Sequence, residues 1–144
     1  MLNSVEALSL GGPLVEPNIH IEYNIKMLNF GTIMIGTENA KELASFYEKV
    51  FDKKPDMTDG DWAGWKMGKM FFTIGAHSEI HGKSKEPQRL ILNFETSDVK
   101  KEFDRIKSIG AQVIKEPYEM QGMWLSTLAD PDGNYFQLVT PWEG

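Results

Sequence analysis

Cysteine is missing altogether from the 144 residues, which removes disulfides, thiolate nucleophiles and cysteine-based zinc sites. Also missing is any apolar run near the roughly 20 residues that a membrane-spanning helix needs. No charged segment followed by an apolar core marks a signal peptide, so a cytoplasmic location is expected. Basic residues are in the minority, 15 Lys and Arg against 21 Asp and Glu, for a formal charge of -6. That balance disfavours nucleic-acid binding, which needs clustered cations to neutralise phosphates. Gly-rich phosphate loops are absent as well, since Gly60 and Gly64 flank Trp62 without a nucleotide-binding pattern. What is present is ordinary for a soluble globular chain: 41% hydrophobic and 25% charged residues, in a length that suits one domain.

The hydrophobic pattern divides the chain into a leader and two similar halves. In residues 1–26 a breaker cluster at Leu10-Gly11-Gly12-Pro13 precedes one short alternating run, Ile19, Ile21, Tyr23 and Ile25. This is read as a leader or extension, mobile or extraneous to the domain that begins at Met27; a strand over His20 to Ile25 would pair along a sheet edge. From Leu28 to Gly36 apolar residues alternate as in a strand. Thr37 is expected to cap a helix running to Phe51, with Ala40, Leu43, Phe46, Tyr47 and Val50 on one stripe. Strands are then predicted near Pro55 to Thr58, at Trp62 to Met67 and at Met70 to Gly75, and Ala76 to Pro87 is a polar loop.

The second half repeats that order. Arg89 to Glu95 reads as a strand, Ser97 or Asp98 as the cap of a helix with Val99, Phe103, Ile106 and Ile109 inward, and Gly110 as its terminal glycine. Strands follow at Gln112 to Lys115, Met123 to Ala129 and Asn134 to Thr140. Between the last two, Asp130-Pro131-Asp132-Gly133-Asn134 carries the residues of a tight turn: Pro fixes φ, Asp bonds its own backbone, and Gly or Asn accepts positive φ. Aligning the two helical stripes sets Tyr47 against Ile106, an offset of 59 that also sets Thr32 against Ile91. The expected fold is therefore α+β: two tandem βαβββ modules, about 28–82 and 88–142, forming a curled mixed sheet around a concave cavity with helices outside.

The Phe46-Tyr47 pair, the Asp98-Val99 helix start with Gly110-Ala111 at its end, and the Asp130 to Asn134 turn, in that order, resemble the glyoxalase/bleomycin resistance/dioxygenase proteins, the vicinal oxygen chelate superfamily. The resemblance spans Leu28 to Trp142. It implies a homodimer and, in the metal-dependent members, a divalent ion held by His, Gln or Glu from four concave strands. The matching positions in this chain are Thr32, Thr73, Ile91 and Gln137. Isoleucine cannot ligate, a threonine hydroxyl is a poor neutral ligand, and no carboxylate or imidazole supplies charge. No metal and no cofactor are expected.

Other constellations are weaker. His77-Ser-Glu79-Ile-His81 would place two imidazoles on one face of a helix, but it follows a strand and ends at Gly82, so solvated loop histidines are the plainer reading. Asp130 and Asp132 suit turn chemistry better than acid-base catalysis, Ser97 and Ser126 have no evident histidine partner, and no catalytic residue is assigned. Aromatic and amide side chains remain. Thr32, Trp62, Trp65, Thr73, Ile91, Asn93, Trp124, Tyr135 and Gln137 are the candidate ligand-binding residues, with indole faces suited to flat or cationic molecules. The alternative for the three tryptophans is core or dimer-seam packing. The expected function is metal-independent binding of an aromatic or cationic small molecule. A metal-dependent lyase, isomerase or dioxygenase, and a non-catalytic structural or regulatory dimer, are the alternatives.

Overall fold

The computed structural model describes residues 27–143; the leader and the strand expected at His20 to Ile25 lie outside them. The first half contains β1 (Thr32–Thr37), α1 (Ala40–Phe51), β2 (Met57–Asp59), β3 (Trp62–Met67) and β4 (Met70–Ala76). The second contains β5 (Leu92–Glu95), α2 (Val99–Ser108), β6 (Gln112–Met120), β7 (Met123–Ala129) and β8 (Tyr135–Val139). Each half builds a four-stranded mixed sheet, in the orders β1-β4-β3-β2 and β5-β8-β7-β6. In both, the first strand runs parallel to the fourth and the other pairs are antiparallel. The two βαβββ modules thus share one topology.

Some boundaries differ from the sequence expectation, for local reasons. Thr37 ends β1 instead of capping α1; its Oγ1 accepts the Asn39 N–H at 3.0 Å, and Asn39 takes the cap position. Asp98 does cap α2, its carboxylate accepting the Lys101 N–H at 3.1 Å. β6 continues past Lys115 to Met120 although Pro117 lies within it. It is an edge strand, where proline costs no ladder bond on the inner side, and register shifts on both sides of Lys115 absorb the irregularity.

The helical stripes bury as the 3.6-residue period requires. Leu43, Tyr47 and Val50 of α1 and Val99, Phe103 and Ile106 of α2 enter one core with Trp65, Phe72, Ile74, Leu128, Phe136 and Leu138 from both sheets. An aromatic chain crosses the module boundary: Phe51 lies 5.2 Å from both Phe72 and Phe94, and Phe94 lies 5.8 Å from Phe136. Arg105 of α2 donates to the carbonyls of Lys49 and Val50, satisfying orphan groups at the C-terminus of α1.

One buried polar cluster binds the halves together. Tyr47 Oη donates to Asp130 Oδ2 at 2.7 Å, while the same carboxylate accepts Asp132 N, Asn134 N and Asn134 Nδ2, each at 2.9 Å. Burial lifts the Asp130 carboxyl above its ordinary value, against the opposing pull of the bonds from Asn134 and Tyr47. Burial, reinforced by the Asp130 charge, raises the Tyr47 hydroxyl well above 10. In contrast, the buried Ser126 hydroxyl has no hydrogen-bond partner among the described residues.

Two stability predictions result. Tyr47→Phe should lower the unfolding free energy by about 1.5–3 kcal/mol, because a buried carboxylate loses a donor. Since the tyrosine's folded value is raised, its contribution is complete below pH 10 and is lost as pH rises through the folded value. Wild type should therefore lose stability in that alkaline window more steeply than Tyr47→Phe, as read by urea midpoints at stepped pH; parallel pH profiles would refute the assignment. Ser126→Ala should be neutral or stabilise by up to about 1 kcal/mol, since it removes an unsatisfied buried hydroxyl, and a clear loss in urea midpoint would mean that the hydroxyl is bonded.

Candidate functional site

Strand register decides which side chains share a face. Thr73 pairs with Met34 on one side and Gly64 on the other, and Gly64 pairs with Met57. In the second module Gln137 pairs with Asn93 and Thr127, and Thr127 pairs with Lys115. These two rows occupy the same place in the two sheets, on the face turned away from the helices. One reads Met34-Thr73-Gly64-Met57 and the other Asn93-Gln137-Thr127-Lys115. The duplicated positions are apolar or small in the first module and polar in the second.

The first row is covered by its own side chains. Trp62 and Phe71 stack with centroids 6.2 Å apart and planes 15° from parallel. A Cβ at Gly64 would strike the Phe71 ring and approach Trp62 to 2.8 Å, and one at Gly75 would lie 2.9 Å from the Met34 methyl and 3.3 Å from Trp62. Glycine at both places is the bed on which these side chains lie. Beneath them Thr73 is buried, its hydroxyl donating to the Ile33 carbonyl at 2.9 Å.

Asn93 and Gln137 of the second row line a cavity of about 700 Å³. Asn93, Glu95, Leu125, Gln137 and Val139 form its floor, Met123, Thr140 and Trp142 one side, and Lys66, Met67 and Gly68 of the β3–β4 hairpin the other. Gln137 Nε2 donates to Thr127 Oγ1 at 3.1 Å, which fixes the amide and leaves its carbonyl oxygen without a protein donor among the described residues. Glu95 accepts the Trp142 N–H at 3.2 Å, holding the chain end beside the cavity, and Trp142 stays 75% exposed.

Not all nine expected residues meet here. Asn93 and Gln137 line this cavity, and Ile91 lines a smaller neighbouring cleft with Asn93. Thr32 is exposed, Thr73 covered, and Trp62 and Tyr135 half-buried; none of these four lines either space. Trp65 and Trp124 belong to the opposite, helix-facing sides of their strands. Trp65 is fully buried against Phe51 and Phe72 and donates Nε1–H to the Lys53 carbonyl at 2.9 Å. Trp124 lies under the Lys100 ammonium, 3.8 Å from the ring centroid. The reason is alternation: Trp62 and Trp65 are three apart in one strand and cannot share a face. Trp142, Lys66 and Leu125 were not anticipated. Trp142 follows Pro141 beyond the last strand, where no periodicity points to it.

The four positions matching the superfamily's metal ligands do not fit an ion. Thr73 commits its hydroxyl proton to backbone, Thr32 is exposed on the strand, and Ile91 has no donor atom, so the Gln137 carbonyl oxygen stands alone. Among the described residues no three His, Asp or Glu side chains converge. His77 accepts the Glu79 N–H through Nδ1, and His81 pairs with Glu38 at 3.2 Å on an exposed loop.

The comparisons agree with this architecture. A family model described as a glyoxalase-like domain matches residues 32–139, and the chain belongs to that family within the glyoxalase/bleomycin resistance/dioxygenase, or vicinal oxygen chelate, superfamily. It is similar to a glyoxalase/bleomycin resistance protein/dioxygenase family enzyme from Burkholderia phytofirmans PsJN, at 24% identity over 78% of this chain and 98% of that one, with a TM-score of 0.65. A glyoxalase-related enzyme from Fulvimarina pelagi superposes with a TM-score of 0.67 at 15% identity, over 80% of this chain and 89% of the other. A glyoxalase/bleomycin resistance protein from Albidiferax ferrireducens T118 gives 0.65 at 16%, over 78% and 98%. At such identities the likeness is one of fold. No protein of curated function matches by sequence.

The glycine bed is directly testable. Gly64→Ala should push Trp62 and Phe71 apart and cost about 1–3 kcal/mol, with an altered near-ultraviolet circular dichroism band. An unchanged aromatic spectrum would show that the two rings do not rest on Gly64.

Proposed function

We propose that the protein binds an aromatic or cationic small molecule without a metal, in the cavity over Asn93 and Gln137. The observation that carries this is the second-module row. Its Asn93 and Gln137 place two amides, with the Glu95 carboxylate beside them, in a space of about 700 Å³, a size typical of small-molecule sites, while the four positions matched to the superfamily's metal ligands offer Thr, Thr, Ile and Gln. The Gln137 carbonyl offers an acceptor for a ligand donor, and Trp142, exposed and lining the same cavity as Glu95, offers an indole face to a cation or a flat ring. Binding is favoured over a lyase, isomerase or dioxygenase because the four matched positions hold Thr32, Thr73, Ile91 and Gln137, where a reacting ion would need charged or basic ligands.

Homodimeric assembly in the cytoplasm completes the reading. Its support is the outer edge of β1, which pairs with no strand among the described residues, together with Met34, 55% accessible, which sets an apolar side chain beside that edge. The covered face of the first module suits such a seam better than a ligand.

Isothermal titration with phenyltrimethylammonium is the first test. Saturable binding is expected, weakened at least about tenfold by Trp142→Ala, which removes the cation–π partner; wild-type protein that gives no heat and no thermal shift with this or related aromatic cations would defeat the proposal. Gln137→Glu should add no tight divalent-metal binding, because Ile91 still withholds a ligand. Stoichiometric metal in the purified wild type would favour the metal-dependent alternative.

A further inference from the structure

We propose that the ligand is an amphiphile, with a cationic head in the larger cavity and an apolar tail in the cleft beside it; this rests on the binding role above. The second cleft, about 380 Å³, is lined by Phe30, Ile33, Met70, Phe71, Leu90 and Ile91 among others, and carries no charged side chain. It shares Met67, Asn93 and Phe94 with the larger cavity. One layer of side chains therefore separates a space containing Glu95 and Gln137 from one that is almost wholly apolar. Met67 stands in that layer, half-buried at the end of β3, and its unbranched thioether can turn aside at small cost.

The chemistry of the two compartments is complementary to one molecule. Glu95 and the Trp142 face accept a cation at one end. Lys66 also lines that cavity, from the β3–β4 hairpin, and its backbone N–H donates to the Asp56 carboxylate at 2.7 Å. At the other end Phe30 and Leu90, 67% and 72% exposed, stand at the mouth of an apolar groove. Large apolar side chains left open around a concave groove mark a binding surface more than a folding requirement. A ligand occupying only the polar cavity would leave that groove wet.

The test uses the full chain and alkyltrimethylammonium ions from butyl to octyl, below their micellar range, with phenyltrimethylammonium as the reference for the larger cavity. Affinity should rise about fourfold per methylene along the series. Leu90→Gln, at an exposed position that leaves the core intact, should flatten that slope and leave the reference affinity unchanged. Binding of the reference with no chain-length dependence would overturn the tail assignment alone. Failure of every compound would remove the binding role and the inference with it. Tighter binding of alkyl sulfonates of equal length would overturn the cationic head. A slope that appears only after removal of residues 1–26 would show the chain's own segment filling the groove, and would equally overturn the proposal.

Discussion

The arrangement depends on a hydrogen bond of 2.7 Å between Tyr47 and Asp130. One partner belongs to the helix of the first module, the other to the turn between the last two strands of the second. Asp130 accepts four donors in all, two of them from Asn134. A buried carboxylate stands only when its lone pairs are met, so the turn, the helix and the module boundary are held by one residue. That turn launches β8, which carries Gln137 into the cavity. The constraint on folding and the placement of the site are the same contact.

Much of this was legible from residue order. The two helical stripes, the five-residue turn and the offset of 59 between Tyr47 and Ile106 define a duplicated module, and β3 and β7 run from Trp62 to Met67 and from Met123 to Ala129 as their alternation requires. The site was only half legible. Parity within β3 already forbids Trp62 and Trp65 from sharing a face, whereas placing Trp124 needs the pairing of Thr127 with Gln137, a fact of register that no single strand contains. Trp142 enters through its backbone bond to Glu95, 47 residues away, and nothing local to either residue announces it.

Equal topology has not kept the two modules chemically equal. The pairing of Met34 with Thr73 and of Asn93 with Gln137 repeats the offset of 59 in the first strand, so the rows are comparable residue by residue. In the first, Gly64 and Gly75 leave space that Trp62, Phe71 and Met34 fill. In the second, Thr127 stands where Gly64 stands, and its hydroxyl engages Gln137 in place of receiving a ring. A side chain on the third strand thus decides whether the face above it closes or stays open.

That same position bears on the absence of a metal set. An ion between two sheets needs donors from both, with lone pairs free to point at a common centre. Here Thr73 spends its hydroxyl proton on Ile33, Gln137 spends an amide proton on Thr127, and Ile91 turns an apolar side chain into the cleft it shares with Phe71. Of these matched positions the carbonyl oxygen of Gln137 is the one strong donor atom left, and a lone neutral oxygen cannot offset the dehydration of a divalent ion. It can accept a hydrogen bond from an organic ligand at ordinary cost. The proposed binding of a molecule that brings its own donors follows from that difference in cost, with Glu95 on the same cavity wall to meet positive charge.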